Sequence, residues 1–209
     1  MSLSAERDTA SPEEIELVTA IRSGDEHAFA AAVERHYRAM LAVAKAYVLA
    51  PDAAAQVVHD AWLAALAETD RFDGSEPLRA WLLRFVVRRA APLAARPDGH
   101  SPDTTQPAVD PGRFRSRTDA FPGHWRAYPR DWRGLPDDVR RGHRAGRVVE
   151  AAVEALPVEQ RAVLTMRDIV GCPPREAYAI LELPDAVARD RLHQARCRVR
   201  AALERHFDD

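Results

Sequence analysis

Lysine is almost missing from this chain. Of 30 basic side chains only Lys45 is a lysine, a bias that reflects coding composition as much as chemistry. Cysteine is scarce too: Cys172 and Cys197 are too few in 209 residues for a disulfide scaffold and suit a reducing compartment. Charge of one sign is lacking, since 30 basic against 32 acidic groups leave −2, so total charge points to no partner. No apolar run approaches the roughly 18–20 residues that span a bilayer, so no membrane insertion is expected. The first 30 residues carry Glu6, Asp8, Glu13, Glu14 and Glu16 with no apolar block, which argues against a secretion signal and for a cytoplasmic protein. The usual signs of catalysis are absent as well. His36, His59, His124 and His143 have no paired metal spacing, the two cysteines are not a CxxC pair, and there is no glycine-rich phosphate loop or nucleophile elbow. Neither an enzyme nor a cofactor is expected.

What is present is helix, interrupted once. Eight of the fifteen prolines fall between Pro92 and Pro136, together with Gly99, Gly112, Gly123 and Gly134. Alanine- and leucine-rich sequence of helical period lies on both sides, so an all-α chain of two small helical domains is expected: 12–95, a linker over 96–143, and 144–209. Residues 97–147 carry ten arginines against seven aspartates, a basic tether between two slightly acidic domains. The helices mark their own ends. Ser11-Pro12-Glu13-Glu14 reads as a capping box with proline in the first turn, Gly24 as a stop, and Asp25 as the next cap. Phe29, Val33, Met40, Ala44 and Val48 then keep one apolar stripe, and Pro51-Asp52 opens a third helix bearing Val58, Ala61, Trp62, Ala65 and Leu66. A fourth carries Leu78, Trp81, Leu82, Phe85 and Val86 and is expected to end at Pro92, with Arg89 on its apolar side capping the end or snorkelling. Further helices are expected around 144–156, over 158–170, near 174–181 and from Asp185 towards Phe207.

The last two helices, joined by Glu182-Leu183-Pro184, read as a helix-turn-helix whose second helix can enter a DNA major groove. Ala188, Leu192, Ala195, Val199 and Leu203 would face the core. Arg189, Arg191, His193, Gln194, Arg196, Arg198 and Arg200 flank that stripe, and guanidinium forks and a glutamine amide can read bases or hold phosphates. The same pattern also fits a solvated helix of an ordinary bundle, and Asp190 near the groove-entering end repels phosphate.

With these residues in place the chain resembles bacterial sigma factors of the extracytoplasmic-function group. In the first domain the resemblance rests on Leu17-Val18 through Gly24-Asp25 and Ala28-Phe29, on Pro51-Asp52-Ala53 leading to Trp62, and on Asp70-Arg71-Phe72 before Leu78-Arg79-Ala80-Trp81-Leu82. In the second it rests on Ala155-Leu156-Pro157 with Gln160-Arg161, on Arg167-Asp168 before Gly171, and on Leu192-His193-Gln194-Ala195-Arg196. Arg113-Phe114, Gly123-His124-Trp125, Pro129 and Trp132 are similar to a long-linker subgroup.

The resemblance implies a non-catalytic subunit that binds core RNA polymerase and promoter DNA, and an anti-sigma factor as regulator. Gln56, His59 and Asp60 would dock on polymerase, with Arg38 or Arg71 at the rim. The loop from Phe72 and Asp73 to Glu76 would receive a flipped base, and Arg84 and Arg88 would hold the melted −10 strand, Arg88 standing where the family usually has asparagine. Arg189, Arg191 and Gln194 would read the −35 element, with Arg198 in support and Arg161 and Arg175 on phosphates. Glu182 stands where a turn glycine is common. Trp125, Tyr128 and Trp132 would stack on nucleic acid, pack on polymerase or dock on the chain's own two domains. The opposing reading is a diverged sigma-like regulator with weak or no promoter activity.

Overall fold

The computed structural model describes residues 9–94 and 142–208, with Gly112, Thr118 and Arg126 between them. The expectations placed on Trp125, Tyr128 and Trp132 lie outside the described residues. Within them every regular element is a helix: α1 (Pro12–Arg22), α2 (Glu26–Tyr47), α3 (Pro51–Ala67), a 3₁₀ turn (Thr69–Arg71), α4 (Leu78–Ala94), α5 (His143–Glu154), α6 (Val158–Leu164), α7 (Pro174–Ile180) and α8 (Asp185–Asp208).

The N-terminal signals behave as local chemistry dictates. The Glu14 N–H donates to Ser11 Oγ at 3.2 Å and the Ser11 N–H to Glu14 Oε2 at 2.9 Å, the reciprocal bonds of a capping box. Asp25 Oδ1 accepts from the N–H groups of His27 and Ala28 at 2.9 and 3.1 Å and starts α2. Two helix ends differ from the sequence expectation. Pro92 lies inside α4, which continues to Ala94; in the final turn its missing donor costs one bond rather than a ladder. The helix expected over 158–170 is α-helical only to Leu164, then widens into a π turn over Thr165–Ile169, where the Val170 N–H reaches Thr165 O at 2.8 Å. The wider turn accompanies Arg167 folding back to donate to the Cys172 carbonyl.

Residues 9–94 and 162–188 form one compact unit, residues 142–161 and 189–208 another. In the first, α2, α3 and α4 pack on one another around Met40, Val43, Val58, Leu82, Leu83 and Val86, each no more than 1 % exposed. Aromatic edges tie the helices together: Phe29 meets Trp62 at 5.5 Å between ring centroids, and Trp81 meets Phe72 at 5.4 Å and Phe85 at 4.8 Å. Arg89 lies over the Phe85 ring at 5.9 Å, its stem on the apolar face and its charge at the edge. The inward stripe of α2 runs through Ala32, His36 and Met40. His36 is thus a core residue, and its Nε2 has no hydrogen-bond partner among the described residues.

In the same unit α7 packs on α4, and the π turn packs on α2. Both α1 and α7 end in a Schellman motif. After α1 the Asp25 N–H bonds Ala20 O and the Gly24 N–H bonds Ile21 O, with Gly24 at φ +85°. After α7 the Leu183 N–H bonds Tyr178 O and the Glu182 N–H bonds Ala179 O, but the left-handed residue is Glu182, at φ +54°. A side chain there meets the carbonyl that glycine avoids.

Two expectations follow. Glu182→Gly removes that strain and should raise stability by about 1 kcal/mol, a rise of roughly 2–4 °C in Tm by calorimetry. Burial first, then the Arg35 charge and more weakly that of Arg79, against the opposing pull of Glu14, lowers the His36 pKa from 6.5 to about 4. The unfolded chain therefore binds a proton that the fold refuses, and stability should be intact above pH 6.5 and fall as pH drops towards 4. Urea titrations should show a loss of about 2 kcal/mol from this group between pH 7 and 5. In His36→Leu the same interval should be flatter by that amount.

Candidate nucleic-acid interface

The loop between the 3₁₀ turn and α4 is built from both ends. Arg22, the last residue of α1, donates from Nε to Thr69 O at 3.0 Å and from Nη2 to Thr69 O and to Phe72 O, the last at 2.6 Å. The Thr69 carbonyl, which also accepts from the Phe72 N–H at 3.0 Å, and the Phe72 carbonyl are thereby fixed to a helix. Ala10 N–H donates to Gly74 O at 3.0 Å. Gly74 sits at φ +78°, and a Cβ there would come within 3.2 Å of Ile15 Cδ1, so both backbone and space call for glycine. Asp73 Oδ1 accepts from the Ser75 N–H at 2.9 Å, and hydrogen bonding from Ser75, its side chain first and its N–H second, holds the exposed carboxyl below the usual carboxylate range.

The expected residues fall unequally on this scaffold. Asp73 is exposed at the loop surface, whereas Phe72 is 6 % exposed with its ring against Trp81, a floor beneath the loop and not a stacking face open to solvent. Arg88 is exposed on α4. One turn earlier Arg84 is held by Glu76, Nη2 to Oε2 at 2.9 Å, and must exchange that partner for any phosphate. Arg175 is exposed in the first turn of α7. Gln56, His59 and Asp60 share the exposed side of α3, where Gln56 Nε2 donates to Asp60 Oδ1 at 2.8 Å, while Val58, Ala61 and Trp62 face inward. Leu63, 55 % exposed, adds an apolar centre to that side. At the rim Arg71 pairs with Glu68 at 3.1 Å.

In the second unit, Arg189 is exposed near the start of α8. Arg191 Nη2 pairs with Glu159 Oε2 at 2.7 Å. Gln194 is engaged on both sides: its Oε1 accepts from Gln160 Nε2 at 2.7 Å, and its Nε2 donates to Asp190 Oδ2 at 2.8 Å. Arg198 is half-buried and has its own partner. Arg161 lies in the interior, 5 % exposed, where it donates to Glu154 O at 2.6 Å and Leu156 O at 3.2 Å. A phosphate contact needs a surface group, and Arg161 instead satisfies the carbonyls at the α5–α6 corner. Burial lowers its pKa from the ordinary guanidinium value.

The partners of these arginines were not legible beforehand. Glu159, Glu176 and Glu76 each hold an arginine, and in sequence they are only three acidic residues near helix starts. Arg22 carried one usable signal, a single base at a helix end just before a glycine stop, but nothing local names Thr69 and Phe72 as its acceptors. Among the described residues no helix is long and apolar enough to cross a membrane, and no three His, Cys, Asp or Glu side chains are grouped to hold a metal.

Comparison with known proteins bears on what these surfaces do. The family described as sigma-70 region 2 matches residues 32–92, and that described as sigma-70 region 4 matches residues 146–199. The ECF RNA polymerase sigma-E factor of Escherichia coli (strain K12) is 25 % identical over 180 residues, 86 % of this chain and 88 % of that protein. The RNA polymerase sigma-H factor of Pseudomonas aeruginosa is 22 % identical over 196 residues, 90 % and 93 % of the two chains. Of solved structures, CnrH in complex with the cytosolic domain of CnrY aligns with a TM-score of 0.58 at 24 % identity, over 91 % of this chain and 97 % of that one, a likeness of fold. RpoE in complex with the anti-sigma factor NepR from Bartonella quintana aligns with a TM-score of 0.56 at 19 % identity, over 84 % and 96 %. The relatives are sigma factors along nearly their whole length, and regions 2 and 4 together account for more than half of the chain, in family order: the chain belongs to the sigma-70 family of sigma factors, which direct RNA polymerase to promoters.

Proposed function

We propose that residues 12–95 form the module that docks on core polymerase and holds the melted −10 strand, and that 144–209 form the module that reads the −35 element, with 96–143 as the tether. The observation that carries this division is that each matched segment contains a helix lined with arginine, α4 in the first and most of α8 in the second. On α4 the exposed Arg88 and the Glu76-bound Arg84 grip backbone phosphates, and the Asp73 loop receives a base above the Phe72 floor. Unstacking a base costs a few kcal/mol, which a fixed loop returns better than a loose one. The Arg22 and Gly74 constraints supply that fixity.

On α8, Arg189 meets the groove first, and Arg191 and Gln194 follow once Glu159 and Asp190 release them. Arg175 and Arg198 support the phosphates. Gln56, His59 and Asp60 around Leu63 dock on polymerase, a polar rim about an apolar anchor. The aromatic words of the tether assign the chain to the long-linker subgroup. An anti-sigma partner and a cytoplasmic location belong to the same reading, because RpoE is seen with NepR and polymerase is the subunit's place of work. The subunit does no chemistry of its own.

The test is a reconstituted run-off reaction with core polymerase on promoters captured by chromatin pull-down of the tagged chain. Specific transcripts and co-elution with core are expected; neither appearing on any captured promoter refutes the reading. Replacing Gln56, His59 and Asp60 together by alanine should weaken core binding by about 1–2 kcal/mol, roughly tenfold, in a fluorescence titration. The circular-dichroism spectrum should stay unchanged.

A further inference from the structure

A base drawn out of its stack needs an apolar surface to lie on, because hydrogen bonds alone do not return what stacking gave. The rings around the loop before α4 do not offer one. Phe72 lies beneath the backbone, and Phe72, Trp81 and Phe85 turn their edges on one another. The apolar group that stands open beside this loop comes from another element. Ile15, near the start of α1, is 47 % exposed. Its Cδ1 and Cγ1 lie 3.2 and 3.4 Å from where a Cβ on Gly74 would stand. Ile15 thus fills the space that a side chain of the loop itself would fill, one residue along from the exposed Asp73 carboxyl. Both ends of α1 are tied to the same loop. Just before the helix the Ala10 N–H holds Gly74 O, and at its end Arg22 holds the carbonyls of Thr69 and Phe72. A β-branched side chain in a helix is also confined to nearly one χ1 rotamer, so Ile15 has little freedom to lose when something covers it.

We propose that Ile15 is the apolar wall of the base-receiving site: the extruded −10 base lies against its side chain, with Asp73 at the base's polar edge. This rests on the reading of the loop as the place where that base is received. It moves the contact surface expected at Phe72 to a different helix and gives α1 a part in promoter opening. Grip and choice are then divided. Ile15 holds a base whatever its identity, since every base has a face, and the polar groups of the loop discriminate.

The test uses holoenzyme assembled from core polymerase and the full chain, on a fork-junction template made from a captured promoter. Abasic nucleotides are placed one at a time along the non-template −10 strand, and affinity is read by fluorescence anisotropy. Wild type should show a position where the abasic nucleotide costs about tenfold. Ile15→Ser should weaken binding about fivefold on the intact template and no further on the template abasic at that position. Ile15→Leu, which keeps the apolar face, should stay within about twofold of wild type. With p-benzoylphenylalanine in place of Ile15, irradiation should crosslink the chain to the nucleotide at the same position of the intact strand. An equal loss in Ile15→Ser on intact and abasic templates, or no loss on either, overturns the proposal and leaves Ile15 a packing residue. So does a crosslink that avoids the sensitive nucleotide, since a side chain that merely steadied the loop would couple to the base without touching it. If no abasic position costs wild type anything, the loop does not receive a base, and it is the reading beneath the proposal that fails, taking the proposal with it.

Discussion

Burial of α4 on more than one side is the constraint from which the other arrangements follow. Leu78, Leu82, Leu83, Phe85, Val86 and Ala90 are all withdrawn from solvent against α2 and α3, so little of the helix circumference is left for charge. Three arginines, Arg79, Arg84 and Arg88, share that remainder, and the same remainder receives α7. A helix with a broad polar face could separate the residues that bind DNA from those that bind its own chain. Here one narrow strip is left, and two of its three guanidiniums are held by carboxylates of the same chain, Arg84 by Glu76 and Arg79 by Glu176, while Arg88 is exposed.

Much of the fold could be read in advance because much of it is decided within four residues. Ser11 and Glu14 satisfy each other, Asp25 meets two amides of the following turn, and Arg89 reaches the ring one turn before it. Each needs only helical spacing to be inferred. The all-α class follows from the same periodicity. The misplaced ends have local causes that the pattern does not weigh: Pro92 falls where a helix is already running out of bonds, and the π turn at Thr165 adds a residue that period 3.6 cannot register.

The site was less legible because exposure is a property of pairs distant in sequence. Arg161 and Arg189 look alike in the chain, each an arginine near the start of a helix that a sigma factor could turn towards DNA. One ends in the interior against Glu154 and Leu156, the other in solvent. His36 reads as one of several scattered histidines, and only the packing of α2 shows that it replaces an apolar residue in the core. The exposed side of α3 is the counter-example. Gln56, His59 and Asp60 follow from the inward positions of Val58, Ala61 and Trp62 by subtraction, and no distant contact is needed to place them.

The Gln160–Gln194–Asp190 chain has a direction. A carboxylate can only accept, so the Gln194 amide must turn its nitrogen to Asp190 and its oxygen to Gln160, and neither amide is free to flip. An adenine edge offers one acceptor and one donor, the same complement that the two neighbours already present to Gln194. In the proposed contact, base reading by Gln194 is therefore an exchange of like for like, with no polar atom gained. Under that proposal discrimination comes from a wrong base failing to replace what Asp190 and Gln160 give up, and Asp190, a liability beside phosphate, would be the standard against which each base is measured.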